Sequence, residues 1–250
     1  MIKITGLTKS FEDYKALRGL NLTVEKGSIY ALVGVNGSGK TTAIKHLMGI
    51  FSPDEGEILI DGSPVYDKSD VKAKLGYVSD ELYFFPQYNL KKLGRFYNNM
   101  YSTWNSDRFN ELIELMGLDK KRRVSRFSKG MQKQAALCLA LSSMPEVLVL
   151  DEPIDGLDPI VRHKIFRWII DDVAARQMTV LISSHNLKEM DGICDSVGII
   201  KDGMMIMERD LDVLKSEMQE KAISGDLPPT LDEIFIYIYE NADSKEVSND

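Results

Sequence analysis

Apolar residues along this chain form short runs that alternate with segments of helical spacing. Nearly continuous runs such as residues 147–150 suit strands that are buried on both faces of a sheet. Their alternation with helices indicates an α/β fold with a mainly parallel sheet. The earliest strands have hairpin-like spacing, which adds an antiparallel part, and residues 1–11 read as an edge strand followed by a turn. The predicted strands cover residues 1–5, 21–24, 28–33, 57–60, 74–79, 146–151, 178–184 and 196–208, and the predicted helices follow Lys40 and cover about 130–143, 159–175 and 186–194.

Residues 81–127 differ from the rest of the chain, because they combine helical periodicity, little strand signal and many aromatic side chains. We interpret this segment as a mostly helical insertion. Its aromatic side chains form either a local core or, as exposed aromatic side chains do at interfaces, a docking surface for a partner. The two interpretations are compatible. The aromatic residues between 83 and 104 are Tyr83, Phe84, Phe85, Tyr88, Phe96, Tyr97, Tyr101 and Trp104.

Length and composition narrow the class of protein. A chain of 250 residues can bury a substantial core without disulfide bonds. Cys138 and Cys194 lie in apolar segments outside any CxxC pattern, so we expect buried free thiols in a reducing compartment. The net charge of −7 argues mildly against a protein that wraps duplex nucleic acid. No apolar run approaches the roughly 18–20 residues of a membrane span, and the N-terminal residues do not resemble a signal peptide, so a cytoplasmic location is expected.

The densest chemical signal is the segment GVNGSGKT at residues 34–41, between a predicted strand and a predicted helix. It satisfies the pattern G-x-x-x-x-G-K-[ST]. Glycines let backbone N–H groups approach an anion, and the following helix adds its positive N-terminal end. In such a loop the lysine reaches β- and γ-phosphates and the hydroxyl ligates Mg²⁺. We predict a nucleoside triphosphate site on a P-loop NTPase core. Its residues are Gly34, Asn36, Gly37, Ser38, Gly39, Lys40, Thr41 and Thr42.

Two consecutive carboxylates are predicted to complete this site. Asp151 follows Lys40 by 111 residues and closes an apolar run. Its side chain is therefore expected at the carboxyl end of a buried strand, where open α/β sheets bind ligands. Its expected role is to hold Mg²⁺ together with Thr41. Glu152 lies where the backbone turns after the strand, and it is the candidate general base for the attacking water.

Five ordered motifs within about residues 1–210 resemble those of the ATP-binding subunits of ABC transporters. They are the P-loop, FSKGMQKQ (127–134), LVLDEP (148–153), GLD (156–158) and SSH (183–185). The stretch LDEIFIYIYE (231–240) further resembles the C-terminal extension of bacterial exporter-type members. The predicted organisation is an ATP-binding core, a helical subdomain, a C-terminal helical extension and a polar, disordered tail. Their ranges are 1–80 with 128–210, 81–127, 211–240 and 241–250, respectively.

The resemblance implies roles for individual residues of these motifs. Ser128 and Gly130 match the signature loop that binds the γ-phosphate of an ATP held by a second subunit. Two ATP molecules are therefore expected between two subunits, in a homo- or heterodimer. Asp158 matches the loop that crosses this interface. His185 matches the histidine that contacts the γ-phosphate and helps to orient the attacking water. Lys129 replaces a glycine of the family's signature, and we expect no loss of function from this change.

Two further positions leave alternatives open. Phe11 matches the aromatic residue that stacks on adenine, and Tyr14, three residues later, is the competing candidate. Asp80 stands where the family usually has glutamine, and Gln87 lies seven residues too late to replace it. An ionised Asp80 can ligate Mg²⁺, because this cation prefers hard oxygen ligands. It cannot donate a hydrogen bond to the attacking water.

The resemblance implies an ATPase that binds ATP and Mg²⁺ and powers transport by a separate transmembrane permease, which would hold it at the inner face of the cell membrane. One alternative is a soluble ABC ATPase acting on ribosomes, DNA or cluster assembly. The presence of a single ATP cassette, with no long coiled coil and no basic stripe, argues against it, and we expect no nucleic-acid partner. Another is a binding module with little hydrolysis. Intact Lys40, Asp151, Glu152 and His185 argue against that.

Overall fold

Two β-sheets organise the chain in a computed structural model that describes residues 1–185, 187–220 and 229–242. The strands are β1 (Ile2–Phe11), β2 (Tyr14–Val24), β3 (Ile29–Val33), β4 (Glu55–Ile60), β5 (Ser63–Pro64), β6 (Leu75–Val78), β7 (Val147–Asp151), β8 (Thr179–Ser184), β9 (Ser196–Lys201) and β10 (Met204–Asp210). The helices are α1 (Lys40–Leu47), α2 (Ser69–Lys72), α3 (Leu90–Met100), α4 (Ser106–Leu115), α5 (Lys129–Ser142), α6 (Pro159–Arg176), α7 (Leu187–Met190), α8 (Leu211–Glu220) and α9 (Leu231–Asn241), with a 3₁₀ turn at Val124–Arg126.

The first sheet is antiparallel and has the strand order β2-β1-β4-β5. β1 pairs with β2 on one side and with β4 on the other, so it is an interior strand. The prediction of an edge strand at residues 1–11 is therefore wrong. Its second neighbour is β4, where Ile2 faces Ile60. A partner so far along the chain leaves no trace in the local pattern of apolar residues.

The second sheet has the order β10-β9-β3-β8-β7-β6, and all its pairings are parallel except that of β10 with β9. The single strand predicted at 196–208 is wrong, because the structure divides it into a hairpin. Asp202 and Gly203 form the turn, with φ angles of 48° and 80°. An Asp-Gly pair favours such a turn, because both of its central residues need positive φ angles.

Helix α1 lies between the two sheets, and the alternation of side chains along β3 separates two parts of the core. Tyr30 and Leu32 belong to the apolar cluster that contains α1 and the antiparallel sheet. Ala31 and Val33 belong to the cluster on the other face, which contains the apolar residues of α5 and α6. β3 is buried along its whole length, as its continuous apolar sequence predicts.

Helices α3 and α4 occupy residues 90–115, so the helical spacing predicted within 81–127 is present. Leu90, Leu93 and Phe109 join the same apolar cluster as α5. The helix predicted at 186–194 is shorter than expected, since α7 ends at Met190 and the chain then turns into β9. The turn is held at Asp195, whose carboxylate accepts a hydrogen bond of 2.7 Å from the backbone N–H of Ile29.

The C-terminal part contains α8 and α9. Thr230 and Glu233 cap the start of α9 reciprocally, and Lys201 lies over the ring of Tyr239 at 4.6 Å from its centroid. Residues 243–250 of the predicted disordered tail lie outside the described residues, whereas Asn241 is the last residue of α9. Within the described ranges, no helix has the length and apolar character needed to cross a bilayer.

Both cysteines are buried free thiols, as predicted. Burial raises the pKa of Cys138 and that of Cys194 to about 12.

Candidate functional site

Most of the predicted site residues meet at one edge of the six-stranded sheet, at the carboxyl ends of neighbouring parallel strands. β3 leads into the P-loop (residues 34–41), and β8 ends directly before His185. β7 ends with Asp151, and β6 ends two residues before Asp80. The order β3-β8-β7-β6 therefore sets these groups side by side where open α/β sheets bind their ligands.

The P-loop turns tightly between β3 and α1. Gly37 and Gly39 have φ angles of 81° and 110°, which residues with a side chain rarely adopt. A Cβ atom at Gly34 would lie 2.5 Å from the carbonyl oxygen of Ile200, so this position lacks room for one. Asn36 is exposed. No acidic residue lies in the first turn of α1, which leaves its positive end available to an anion.

The turn between β9 and β10 supports the P-loop from a distant part of the sequence. The backbone N–H of Gly203 donates to the carbonyl oxygen of Ser38 at 2.9 Å. The carbonyl oxygen of Gly203 accepts from the N–H of Arg18 at the same distance. A Cβ atom at Gly203 would lie 2.5 Å from the carbonyl oxygen of Ala16, so only glycine fits between the two loops.

Lys40, the first residue of α1, is buried among the loop's own carbonyl groups. Its Nζ donates to the carbonyl oxygens of Gly34 at 2.7 Å and Val35 at 3.3 Å. The same atom lies 3.5 Å from Oε1 of Glu152. Phosphate oxygens are stronger partners for an ammonium group than neutral carbonyls, so a bound phosphate would compete for these bonds.

Thr41 and Asp151 bring hard oxygen atoms together. Oδ1 of Asp151 accepts from the hydroxyl of Thr41 at 3.3 Å and from that of Ser183 at 2.5 Å. Its Oδ2 is buried and has no hydrogen-bond partner among the described residues. A buried carboxylate oxygen without a partner is costly unless a cation binds it. The donor set of Thr41 and Asp151 therefore fits Mg²⁺. Thr42, the next residue, is half-buried, and its carbonyl oxygen lies 2.7 Å from Nδ1 of His46.

Glu152 has a left-handed backbone, with φ at 47°, and hydrogen bonds hold it at several atoms. Its N–H donates to the carbonyl oxygen and the Oγ of Ser183 at 3.2 and 3.1 Å. Its carbonyl oxygen accepts from Nζ of Lys133 at 2.6 Å. Oε2 of its carboxylate lies 2.9 Å from Nδ1 of His185 and accepts from the N–H of that residue at 3.3 Å. The carboxylate thus lies between Lys40 and His185.

The side chain of His185 is half-exposed beside Glu152. Asp155 joins this pair, because ligand-type atoms of Glu152, Asp155 and His185 lie within 4.8 Å of one another. Asp155 lies in the loop between β7 and α6, and the sequence motifs did not single it out.

Asp80 lies at the edge of this cluster, and 55% of its side-chain surface is exposed. Its Oδ1 is 3.6 Å from Nζ of Lys133. Burial, and then the charges of Asp151 and Asp80, raise the pKa of Tyr77 on β6 to about 12. Both carboxylates therefore act on the same tyrosine, while the ion pair of Asp80 is with Lys133.

The signature residues lie at the start of α5, and the side chains of Ser128 and, at the start of α6, Asp158 are exposed. The hydroxyl of Ser128 accepts from the N–H of Met131 at 3.2 Å and caps α5. Asp158 caps α6 in the same way, accepting from the N–H of Val161 at 3.0 Å. A Cβ atom at Gly130 would lie 2.9 Å from the carbonyl oxygen of Gly156, so the first turn of α5 packs against the loop before Asp158. None of these bonds reaches the cluster around Lys40.

The two aromatic candidates for adenine stacking are both exposed. The ring of Phe11 packs edge-on against Phe51 at a centroid distance of 5.4 Å, and Nζ of Lys9 lies 5.7 Å from its centroid. The hydroxyl of Tyr14 donates to the carbonyl oxygen of Gly37 in the P-loop at 3.5 Å.

Three supporting residues escaped the sequence analysis. Ser183 belongs to the motif SSH, which drew attention only to its histidine. Lys133 belongs to the motif FSKGMQKQ, which drew attention only to Ser128, Lys129 and Gly130. Gly203 lies inside the single strand predicted at 196–208, so neither its turn nor its contact with the P-loop was predicted.

Comparison with known proteins shows the family and the fold of this chain. Residues 17–155 match the family described as ABC transporter. The chain is 33% identical to the ABC transporter ATP-binding protein YtrB of Bacillus subtilis, over 87% of this chain and 74% of that protein. It is 36% identical to the lantibiotic transport ATP-binding protein SrtF of Streptococcus pyogenes, over 85% of this chain and 92% of the relative. A solved ATP-binding subunit of an ABC transporter has the same fold, with a TM-score of 0.86 at 24% identity over 96% of this chain and 99% of that one.

Proposed function

Because this chain belongs to the family of ABC transporter ATP-binding proteins, we propose that it drives a separate transmembrane permease as one half of a dimer that encloses two ATP molecules. As a member of this family it is an ATPase. We propose the roles of individual residues, the binding of Mg²⁺ and the partner proteins. The observation that carries it is the convergence of Lys40, Asp151 and Glu152 at the end of the P-loop.

ATP binds, in this proposal, along the P-loop. The backbone N–H groups and the N-terminal end of α1 receive the phosphates, and Lys40 leaves the carbonyl oxygens of Gly34 and Val35 for phosphate oxygens. Thr41 and Asp151 hold Mg²⁺, and Asp80 is placed to join them only if it leaves Lys133. When bound, Mg²⁺ stabilises negative charge that develops on the transferred phosphoryl group.

Glu152 accepts the proton of the attacking water. Its carboxylate needs a fixed position for this, because a general base acts only within hydrogen-bond reach of the proton that it takes. The N–H and the ring nitrogen of His185 hold Oε2, and the half-exposed ring can also contact the γ-phosphate. Nζ of buried Lys40 lies 3.5 Å from Oε1 and holds the other side of the carboxylate.

A second subunit completes each site. The hydrogen bonds described above for Ser128 and Asp158 do not reach the Lys40 cluster, and both side chains are exposed at the starts of α5 and α6. A hydroxyl and free backbone N–H groups at the start of a helix suit a γ-phosphate. In the dimer, the signature loop of one subunit therefore faces the P-loop of the other.

The experiment that tests this proposal is the substitution Glu152→Gln. It removes the base and leaves the phosphate contacts, so ATP and Mg²⁺ should trap a stable dimer that light scattering detects, and hydrolysis should fall by about 10²–10⁴-fold. Glu146→Gln, at an exposed position just before β7, is the matched control and should behave like the wild type. A monomeric E152Q protein at saturating ATP and Mg²⁺ would contradict the proposed dimer and the role of Glu152.

The permease is proposed to dock on the helical segment 81–127. Within it, Tyr88, Tyr97 and Trp104 pack against the core, so part of the aromatic set is internal. The outer aromatic surface consists of Tyr83, Phe85 and Phe96, which are exposed by 81, 42 and 39%. Tyr83 follows Asp80 by three residues, so a partner on this surface sits next to the catalytic cluster. Docking there would hold the protein at the inner face of the cell membrane.

We propose the subgroup of ABC transporter from the names of the relatives. SrtF is named for lantibiotic transport, so we propose an exporter-type system, and a peptide of that kind is the first cargo to test as a stimulator of ATPase activity.

A further inference from the structure

We propose that Lys133 is a positioning residue that holds Glu152 in its working conformation and ties it to the signature helix α5, with Asp80 as its counter-ion. This inference rests on the proposed function, because it takes Glu152 as the base. Lys133 lies on α5, and only 7% of its side chain is exposed, compared with 55% of that of Asp80. Its ammonium group joins the end of β7 to the loop after β6.

The backbone of Glu152 explains why such a residue is needed. A non-glycine residue with φ at 47° is strained, and it keeps that conformation only where its surroundings hold it from several sides. Ser183 holds its N–H group and His185 holds its carboxylate. Lys133 alone, among the described residues, bonds its carbonyl oxygen, at 2.6 Å. Without that bond the peptide group after Glu152 can rotate, and the carboxylate moves with it.

The charge of Lys133 explains the aspartate at position 80. A buried ammonium group is destabilising unless an anion and hydrogen-bond acceptors compensate for its lost hydration. The carbonyl oxygen of Glu152 provides an acceptor, and Oδ1 of Asp80 at 3.6 Å provides the anion. A glutamine at position 80 would lack that charge. Asp80 is therefore the counter-ion of Lys133. It lies on the segment that leads to the outer aromatic surface.

The position of Lys133 on α5 gives the bond a consequence for the dimer. Ser128 caps this helix, and Lys133 follows it by five residues, little more than one turn. At the same end of α5, Gly130 packs against the loop that contains Gly156. When the signature loop binds the partner's ATP, a shift of α5 moves Nζ and hence the carbonyl group of Glu152. Each subunit's catalytic base thus responds to the ATP held by its partner.

The test uses the full chain and measures kcat and KM for ATP separately. Lys133→Met keeps the length of the side chain and removes its bond, so kcat should fall by about 10²-fold through misplacement of Glu152. KM should change little, because the contacts of Lys133 are with Glu152 and Asp80 and not with the P-loop. Lys133→Arg keeps the donors and should recover part of kcat. Lys74→Met, at the exposed ion pair with Glu146, is the control and should leave kcat and the melting temperature unchanged.

Asp80→Asn provides a second, milder test that does not depend on the folding of K133M. It should lower kcat by less than K133M does, because water can partly replace a half-exposed counter-ion. Its effect should disappear in the K133M background, since the two changes then act on one interaction. Additive effects of D80N and K133M would overturn the pairing, and a K133M protein with wild-type kcat would overturn the positioning role. If wild-type protein and E152Q hydrolyse ATP equally, the proposed function itself fails.

Discussion

At the residue scale, Phe11 and Tyr14 offer two different surfaces to an adenine ring. The exposed ring of Phe11 is in T-shaped contact with Phe51 and lies under Nζ of Lys9, whereas the hydroxyl of Tyr14 is bonded to the P-loop. We expect Phe11→Ala to weaken ATP binding by about 1–3 kcal/mol, the value of stacking a base on an aromatic ring. Tyr14→Ala should weaken it less. Titration with a fluorescent ATP analogue measures both, and a larger loss for Y14A would assign the stacking to Tyr14.

His46, on α1, makes stability depend on pH. Burial lowers the pKa of His46, so the folded protein resists protonation while the unfolded chain takes up a proton near pH 6.5. The stabilising contribution is complete above that pH and is lost as the pH falls toward the lower folded pKa. His46→Gln should therefore lessen the loss of stability between pH 7.5 and 5.5, by at most about 1.4 kcal/mol per pH unit. Urea unfolding at both values measures this, and His163→Gln, at an exposed position, is the control.

Roles that follow from the local chemistry of a motif could be predicted, and contacts made across the fold could not. Lys40, Thr41, Asp151 and Glu152 lie in short motifs whose chemistry is local, and the structure brings them together. Lys133 contributes through the backbone carbonyl of a residue on another element. No pattern of residue types records such a bond, because any residue could supply the carbonyl oxygen.

At the scale of elements, a buried aspartate connects the helical segment to the core. Asp172 on α6 binds Arg108 of α4 at 2.7 Å and Arg176 of its own helix at 3.1 Å. Asp172→Asn should lower the free energy of unfolding by about 2–3 kcal/mol, somewhat less than for a fully buried pair, because both arginines are partly exposed. Arg108→Gln should cost less, since Arg176 still neutralises the carboxylate. Asp171→Asn, an exposed neighbour on the same helix, should have no effect in urea unfolding.

Strands and helices could be predicted where their own residues determine them. The partners with which the strands pair in a sheet could not be predicted. β3, β7 and β8 follow directly from apolar runs. The interior position of β1 depends on pairing with β4, which only the folded chain brings close. The hairpin of β9 and β10 was missed although Asp202 and Gly203 mark its turn, because the apolar residues on both sides looked like one strand.

At the scale of the whole molecule, we predict that the permease binds the outer aromatic surface. Affinity purification from detergent-solubilised membranes should recover a multi-span protein with the wild-type chain. The double substitution Tyr83→Ala and Phe96→Ala should reduce this recovery, because it removes two side chains of the outer aromatic surface. Tyr66→Ala removes an aromatic residue of comparable exposure, 48%, outside that segment and is the control. Equal recovery of the multi-span protein with the double variant and with the control would mean that the permease docks on another surface.

The pairing of β3 has a consequence for how the protein is made. The strand that carries the P-loop leaves the ribosome well before its neighbours in the sheet, β8 and β9, where Val33 lies beside Ser184 and Ile199. At 5–20 residues per second, about 150 residues of synthesis separate them, which is roughly 8–30 s. During that interval a fully apolar strand has no partner on either side, and Gly203, which braces the loop, does not yet exist. The nascent chain therefore cannot capture ATP until nearly all of the cassette has been translated, and the first half expressed alone should aggregate.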